Sequence, residues 1–180
     1  MRVRYVGLQG GGRMIQVYTG NGKGKTTAAF GLALRAAGAG LNVYIGQFAK
    51  GRSYHEITAL KKIDNIKVVQ FGRRCFIKKS PEEIDIQMAS AGLKRSNEII
   101  ADRKYRVVIL DEVNIAVKLK LIPLSGLLEL IKHTPKSVEL VLTGRYAHPK
   151  IIKLADLVSQ IREVKHYYTK GLKARRGIEF

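Results

Sequence analysis

A three-layer α/β sandwich around a mostly parallel sheet is the architecture this 180-residue sequence predicts. Three observations carry the prediction. Short runs of four to six residues rich in Val, Ile and Leu alternate with longer segments of helical periodicity, the order that builds β-α-β units. Some runs, such as Val107-Val108-Ile109-Leu110, are apolar at every position, which suits a strand covered on both faces. A glycine-rich segment separates the first run from the first helical segment, where a parallel sheet places its ligand-binding loop.

Taken in order, Met1-Arg2-Val3-Arg4-Tyr5-Val6-Gly7-Leu8 lacks the apolar core of a signal peptide, and Gly10-Gly11-Gly12 makes a hinge. Residues 1–12 are therefore read as a flexible N-terminal extension, and 13–180 as one domain of ordinary size. Ile15–Tyr18 is the first strand. A helix follows at about 25–38, closed by Gly38 and Gly40. Strand Asn42–Gln47, helix 54–63 and strand Lys67–Phe71 come next. A long helix at 82–103 opens at Pro81-Glu82-Glu83 with Ser80 as its cap. On it Ile84, Met88, Ala91 and Ile99 recur at helical spacing and are expected to form the core stripe. Strands Arg106–Leu110, Val138–Thr143 and Leu157–Ile161, with helices at 124–132 and 149–155, complete the pattern. Right-handed crossovers then bring Thr19–Thr27, Gln47–Arg52, Asp111–Asn114 and Thr143–Tyr146 to the carboxyl rim of the sheet.

The segment Gly20-Asn21-Gly22-Lys23-Gly24-Lys25-Thr26-Thr27 between strand and helix has the order of a phosphate cradle. Its glycines allow backbone N–H groups to approach an anion closely. The helix start adds unpaired N–H groups and a partial positive charge. Lys25 adds a full charge, and the Thr26 hydroxyl can reach a magnesium ion. The usual first glycine of such loops is displaced by one residue, since Thr19 stands in its place. The loop and its setting specify a P-loop NTPase (RecA-like) fold. Opposite it, Asp111 and Glu112 end an apolar strand and can hold the same metal, so the expected ligands are Thr26, Asp111 and Glu112. Strand alternation sends the two carboxylates to opposite sides, so one leads. Gln47–Arg52 and Thr143–Tyr146 either reach a bound anion or a flat ligand, or are solvated loops.

Composition narrows the field. The net charge is +19, from 33 basic and 14 acidic residues. Such a field attracts polyanions: nucleic acid, an anionic membrane surface or a phosphorylated small molecule. It also fits a merely well-solvated surface. No nucleic-acid-binding signature is present, and tryptophan is absent, so stacking platforms are sparse. Nucleic acid is not the expected partner, and no transmembrane run is present. One cysteine, Cys75, excludes an internal disulfide and fits a reducing cytoplasm. His55, His133, His148 and His166 are scattered without metal-binding spacing.

Together these segments resemble the ATP:corrinoid adenosyltransferase family, in its phosphate-loop form, from Ile15 to Phe180. The similar residues are the loop from Gly20 to Gly31 with its displaced glycine, Gln47-Phe48-Ala49-Lys50-Gly51, Leu110-Asp111-Glu112 with Asn114, and Glu139 to Arg145. The most specific part is the tail, from Glu139–Arg145 through Ala155-Asp156-Leu157-Val158 and Glu163-Val164-Lys165-His166 to the ending Gly171-Leu172-Lys173-Ala174-Arg175-Arg176-Gly177-Ile178-Glu179-Phe180. The resemblance implies transfer of the 5′-deoxyadenosyl group of ATP to the Co(I) of a reduced cobalamin or cobinamide, with triphosphate released. It implies Lys25, Thr26 and Glu112 as catalytic residues, and Mg2+ on Thr26, Glu112 and Asp111. Ligand contacts implied are Gly20, Asn21, Gly22, Lys23, Gly24, Lys25, Thr26, Thr27, Phe48, Phe76, Arg145 and Lys173. It further implies a flavin-based reductant, a homodimer and a cytoplasmic enzyme. The sequence departs from the family in the stretch Phe71-Gly72-Arg73-Arg74-Cys75-Phe76-Ile77, which lacks the family's tryptophan and leaves Phe76 as the apolar wedge. The short extension implies a reduced lid. A small kinase or a nucleic-acid-binding ATPase on the same fold is the alternative, and the ending argues against it.

Overall fold

Six strands form one sheet in the order β3-β2-β4-β5-β1-β6, and every pairing is parallel. They are β1 (Met14–Thr19), β2 (Val43–Phe48), β3 (Ile66–Phe71), β4 (Val107–Asp111), β5 (Glu139–Thr143) and β6 (Leu157–Gln160). The helices are α1 (Lys25–Gly38), α2 (His55–Leu60), α3 (Glu83–Asp102), α4 (Val113–Lys118), α5 (Leu124–His133) and α6 (Pro149–Leu154). A 3-10 turn follows at Tyr167–Lys170. The structure is a computed structural model that describes residues 14–51, 54–73 and 80–179. The extension 1–12, Arg52, Cys75, Phe76 and Phe180 lie outside the described residues.

The strands alternate between two cores, as buried parallel strands must. Ile15, Val17, Tyr44, Val108, Leu110, Leu140 and Leu142 pack with α3, α4 and α5 on one face. Val43, Ile45, Val107, Ile109 and Val141 pack with Ala29, Phe30 and Ala33 of α1 on the other. That alternation sets the site. Gln47, Asp111 and Thr143 each continue the second set two residues on, so they emerge at the carboxyl ends on the α1 side.

Most elements lie where the sequence puts them, with four differences. The second helix is shorter than expected, ending at Leu60. Helix α4 was not expected: it is a six-residue turn opening directly from Glu112, too short to leave a period. The cap of α3 is Glu82, not Ser80, in a reciprocal box with Asp85. The buried face of α3 is Asp85, Ala89, Gly92, Leu93, Ser96, Ile99 and Ile100, while Ile84 and Ala91 are exposed. Polar and small residues fill this face because each has a specific neighbour. Asp85 is paired with Arg73, Ser96 donates to the Gly92 carbonyl, and Gly92 lies against the Phe71 ring. Of the stripe that hydropathy selects, Ile99 is buried and Met88 half-buried, while the other two positions face outward. Among the described residues no helix is long and apolar enough to cross a membrane.

Candidate active site

The phosphate loop is threaded between β1 and α1 and fastened to the end of β6. The Gly22 amide donates to the Ile161 carbonyl at 2.9 Å, and the Ile161 amide donates to the Thr19 carbonyl at 2.8 Å. A Cβ on Gly20 would sit 2.3 Å from the Ile161 oxygen, and one on Gly22 would sit 2.8 Å from Arg162 backbone. The glycines therefore serve this close passage as well as any ligand. With its amide engaged, Gly22 is the loop position least free to meet an anion.

Lys25 begins α1 and is buried, with Nζ donating to the Gly22 carbonyl at 2.6 Å. Burial pushes its pKa below the usual lysine range, against the opposing pull of Glu112. The charges of Arg145 and Lys50 push it the same way. A buried ammonium held by one carbonyl and flanked by like charges is a site that an anion stabilises.

Asp111 is fully buried at the end of β4. Its Oδ1 accepts from Thr26 Oγ1 at 2.9 Å and from Thr143 Oγ1 at 2.6 Å. Its Oδ2 accepts from Gln47 Nε2 at 2.9 Å, and Gln47 in turn accepts from Gln70 Nε2 at 2.7 Å. The β2, β3, β4 and β5 ends thus lock one carboxylate against the first turn of α1. Glu112 follows with left-handed backbone (φ 58°), and its amide donates to Thr143 Oγ1 at 3.0 Å. This left-handed turn breaks the strand alternation that was expected to send the two carboxylates to opposite sides: both face the Lys50 ammonium, Asp111 locked in the network and Glu112 still partly exposed. Gly144, Asn114 and Glu112 meet beside them, with Asn114 Nδ2 donating to the Gly144 carbonyl at 3.3 Å. Asn114 Oδ1 is a buried acceptor with no partner among the described residues.

Lys50 Nζ enters this oxygen cluster. It lies 3.3 Å from Glu112 Oε1, 3.6 Å from Asp111 Oδ2 and 3.4 Å from Thr26 Oγ1. Burial lowers its pKa, but Asp111 and Glu112 outweigh burial and hold it above the usual lysine value. Oxygen donors from two carboxylates and a hydroxyl, already gathered around a cation, are the donor set a hard divalent ion takes. The residues present therefore fit Mg2+. Among the described residues no group of three or more His, Cys, Asp or Glu side chains forms a separate metal cluster.

The other expected contacts are distributed differently. Asn21 and Thr27 are exposed at the loop, and Arg145 is exposed beyond β5. Phe48 is fully buried, its ring 5.6 Å from that of Phe71, so it packs the core beneath the rim. Lys23 points away from the cradle. Its Nζ donates to Glu179 Oε1 and Tyr167 Oη, both at 2.8 Å, and to the Ile178 carbonyl at 3.2 Å. An ammonium has three N–H donors, and all three are engaged with the tail. Tyr167 also donates to Glu179, and Arg175 stacks on the Tyr167 ring at 5.0 Å while pairing with Glu179. Lys173 is exposed on this tail. Sequence reasoning missed the clasp between loop and tail and the placement of Lys50. No local pattern marks a contact between Lys23 and a residue 156 positions away.

The family described as ATP:corrinoid adenosyltransferase BtuR/CobO/CobP matches residues 12–180. The chain is 35% identical to the corrinoid adenosyltransferase CobA of Salmonella typhimurium, over 93% of this chain and 85% of that protein. It is 34% identical to the corrinoid adenosyltransferase of Pseudomonas aeruginosa, over 93% of this chain and 83% of that one. The corrinoid adenosyltransferase of Escherichia coli is 34% identical over 93% and 85%.

Proposed function

The chain belongs to the ATP:corrinoid adenosyltransferase family, and from that premise we propose how its rim carries out the transfer. ATP lies with its triphosphate on the loop, and the Co(I) of a reduced corrinoid attacks the ribose 5′ carbon. A cobalt–carbon bond forms from the cobalt electron pair. The carbon–oxygen bond breaks, its electrons leave with the triphosphate, and cobalt becomes formally Co(III). Co(I) carries no proton, so the step requires no general base. The rim instead has to position two reactants and accept the charge of a leaving triphosphate.

The observation that supports this reading best is the meeting of buried Lys25 with Thr26, Asp111 and Glu112 at one end of the sheet. Lys25 and the loop amides other than that of Gly22 bind the triphosphate. Thr26, Glu112 and Asp111 hold Mg2+, which when bound neutralises part of the leaving group's charge. Asn21 contacts the nucleoside, Arg145 and Lys173 extend the positive field, and Phe76 is the apolar wedge toward the corrin ring. Phe48 supports the rim from below. A flavin-based reductant, a homodimer, a cytoplasmic location and a single catalytic domain over 13–180 belong to the same reading. The lone cysteine and the positive charge are consistent with it. The test follows the light-sensitive spectrum of the cobalt–carbon product in protein, ATP and chemically reduced cobalamin. Product should form with Mg2+ and stop when EDTA is added. Product formation unaffected by EDTA would remove the metal from the reading.

A further inference from the structure

Lys50 has no role in the scheme above, yet it lies at the centre of the site. Its ammonium sits among Thr26, Asp111 and Glu112, the same three groups assigned to the divalent cation. Two cations cannot share that position, since each would face the other in a partly dry pocket.

The placement is built into the chain. Ala49, just before Lys50, has left-handed backbone (φ 53°), a conformation that a non-glycine residue adopts only where its surroundings hold it. Just after it, a Cβ on Gly51 would lie 2.1 Å from the Gly72 carbonyl oxygen. The end of β2 is therefore pressed onto the end of β3, and this aims the Lys50 stem inward. The groups that act on it are the carboxylates of Asp111 and Glu112 and the Tyr54 hydroxyl, and its own charge is felt at Lys25. Lys50 balances the two carboxylates. When a triphosphate arrives, a second and stronger anion comes within reach of a flexible ammonium.

We propose that Lys50 is the resident counter-ion of the nucleotide site. It fills the divalent-cation position among Thr26, Asp111 and Glu112 in the free protein, and it transfers to the triphosphate when Mg2+ enters with ATP. The inference rests on the Mg2+ assignment made above. Its consequence is order: the free protein binds divalent ions poorly, and metal and nucleotide enter together, each favouring the other.

The test uses Mn2+ as the probe, with free Mn2+ measured by electron paramagnetic resonance on the full chain, without corrinoid. Without nucleotide, Lys50→Met should bind Mn2+ at least about tenfold more tightly than the unaltered protein, because an opposing charge has been removed. Lys50→Arg, which keeps that charge, should stay within about threefold of the unaltered protein. With the Mn2+ taken up by ATP in a protein-free control subtracted, addition of ATP should tighten Mn2+ binding in the unaltered protein, and this tightening should shrink about tenfold in Lys50→Met. Circular dichroism checks that each variant is folded, and Lys50→Gln replaces Lys50→Met if the latter is not. Equal nucleotide-free Mn2+ affinity in the unaltered and neutral variants, with Mn2+ still binding alongside ATP, overturns the counter-ion role alone. Failure of Mn2+ to bind even with ATP overturns the metal assignment beneath it.

Discussion

Lys25 illustrates how a single residue can favour ligand over apo protein. The fold buries its ammonium, which lowers its pKa, and gives it one carbonyl partner. Truncating it removes an unfavourable burial from the free protein and the main charge from the bound one. Lys25→Ala should therefore reduce turnover by about 10²-fold or more, the scale of losing one transition-state contact, while the thermal midpoint stays level or rises. Unfolding of that variant would assign Lys25 to structure instead. The two carboxylates separate by the same reasoning. Asp111 is fully buried and accepts from Thr26, Thr143 and Gln47. Asp111→Asn sets an NH2 group against these donors and should cost about 2–3 kcal/mol in denaturant unfolding. Glu112 is bound more loosely, to Lys50. Glu112→Gln should leave stability nearly unchanged and raise the Mg2+ needed for half-maximal turnover about tenfold or more. The reverse pattern of stability and metal demand would exchange the two roles.

At the scale of elements, two fastenings hold the rim. The first is the start of α3, where Arg73 at the end of β3 meets Asp85 at 2.7 Å and 2.8 Å and Asp85 accepts from the Glu82 amide at 3.0 Å. Asp85→Ala removes a cap and a charged pair together and should cost about 2–3 kcal/mol. Arg73 holds the Asp85 pKa below the usual carboxylate range. This contribution is therefore complete at neutral pH and is lost only as pH falls through that depressed value. Stability of Asp85→Ala and the unaltered protein should converge in strong acid; a constant difference down to that pH would contradict the pairing. The second fastening is the tail, where Glu179 gathers Lys23, Arg175 and Tyr167. Glu179→Gln should release the tail, so that trypsin cuts at Arg175 and Arg176 several-fold faster than in the unaltered protein. An unchanged cleavage rate would mean that other contacts secure the tail.

These elements also mark what could be read in advance. The sheet was legible because parallel strands buried on both faces write themselves as continuous apolar runs. The loop and the Asp111-Glu112 pair were legible because glycine and charge at a strand end have few other uses. The buried face of α3 was not, because Asp85, Gly92 and Ser96 are buried by partners that hydropathy does not see. Helix α4 was hidden by its length. Lys50 was hidden by a backbone angle at Ala49, and the Lys23–Glu179 clasp by its separation along the chain.

For the whole molecule, the pieces form one device. Parallel strands bring Gln47, Asp111 and Thr143 to one rim, α1 brings Lys25 and Thr26 to meet them, and β6 and the tail brace the loop. The net charge of +19 suits the chain to anionic substrates. On the proposed reading, a site built this way grips a triphosphate as a whole, and so favours breaking its bond to carbon over breaking a bond within it. The direct test is phosphorus-31 NMR of the products from ATP and chemically reduced cobalamin, read against the amount of cobalt–carbon bond formed. One intact triphosphate for each new cobalt–carbon bond is the result expected. ADP, pyrophosphate or inorganic phosphate as the primary product would contradict it.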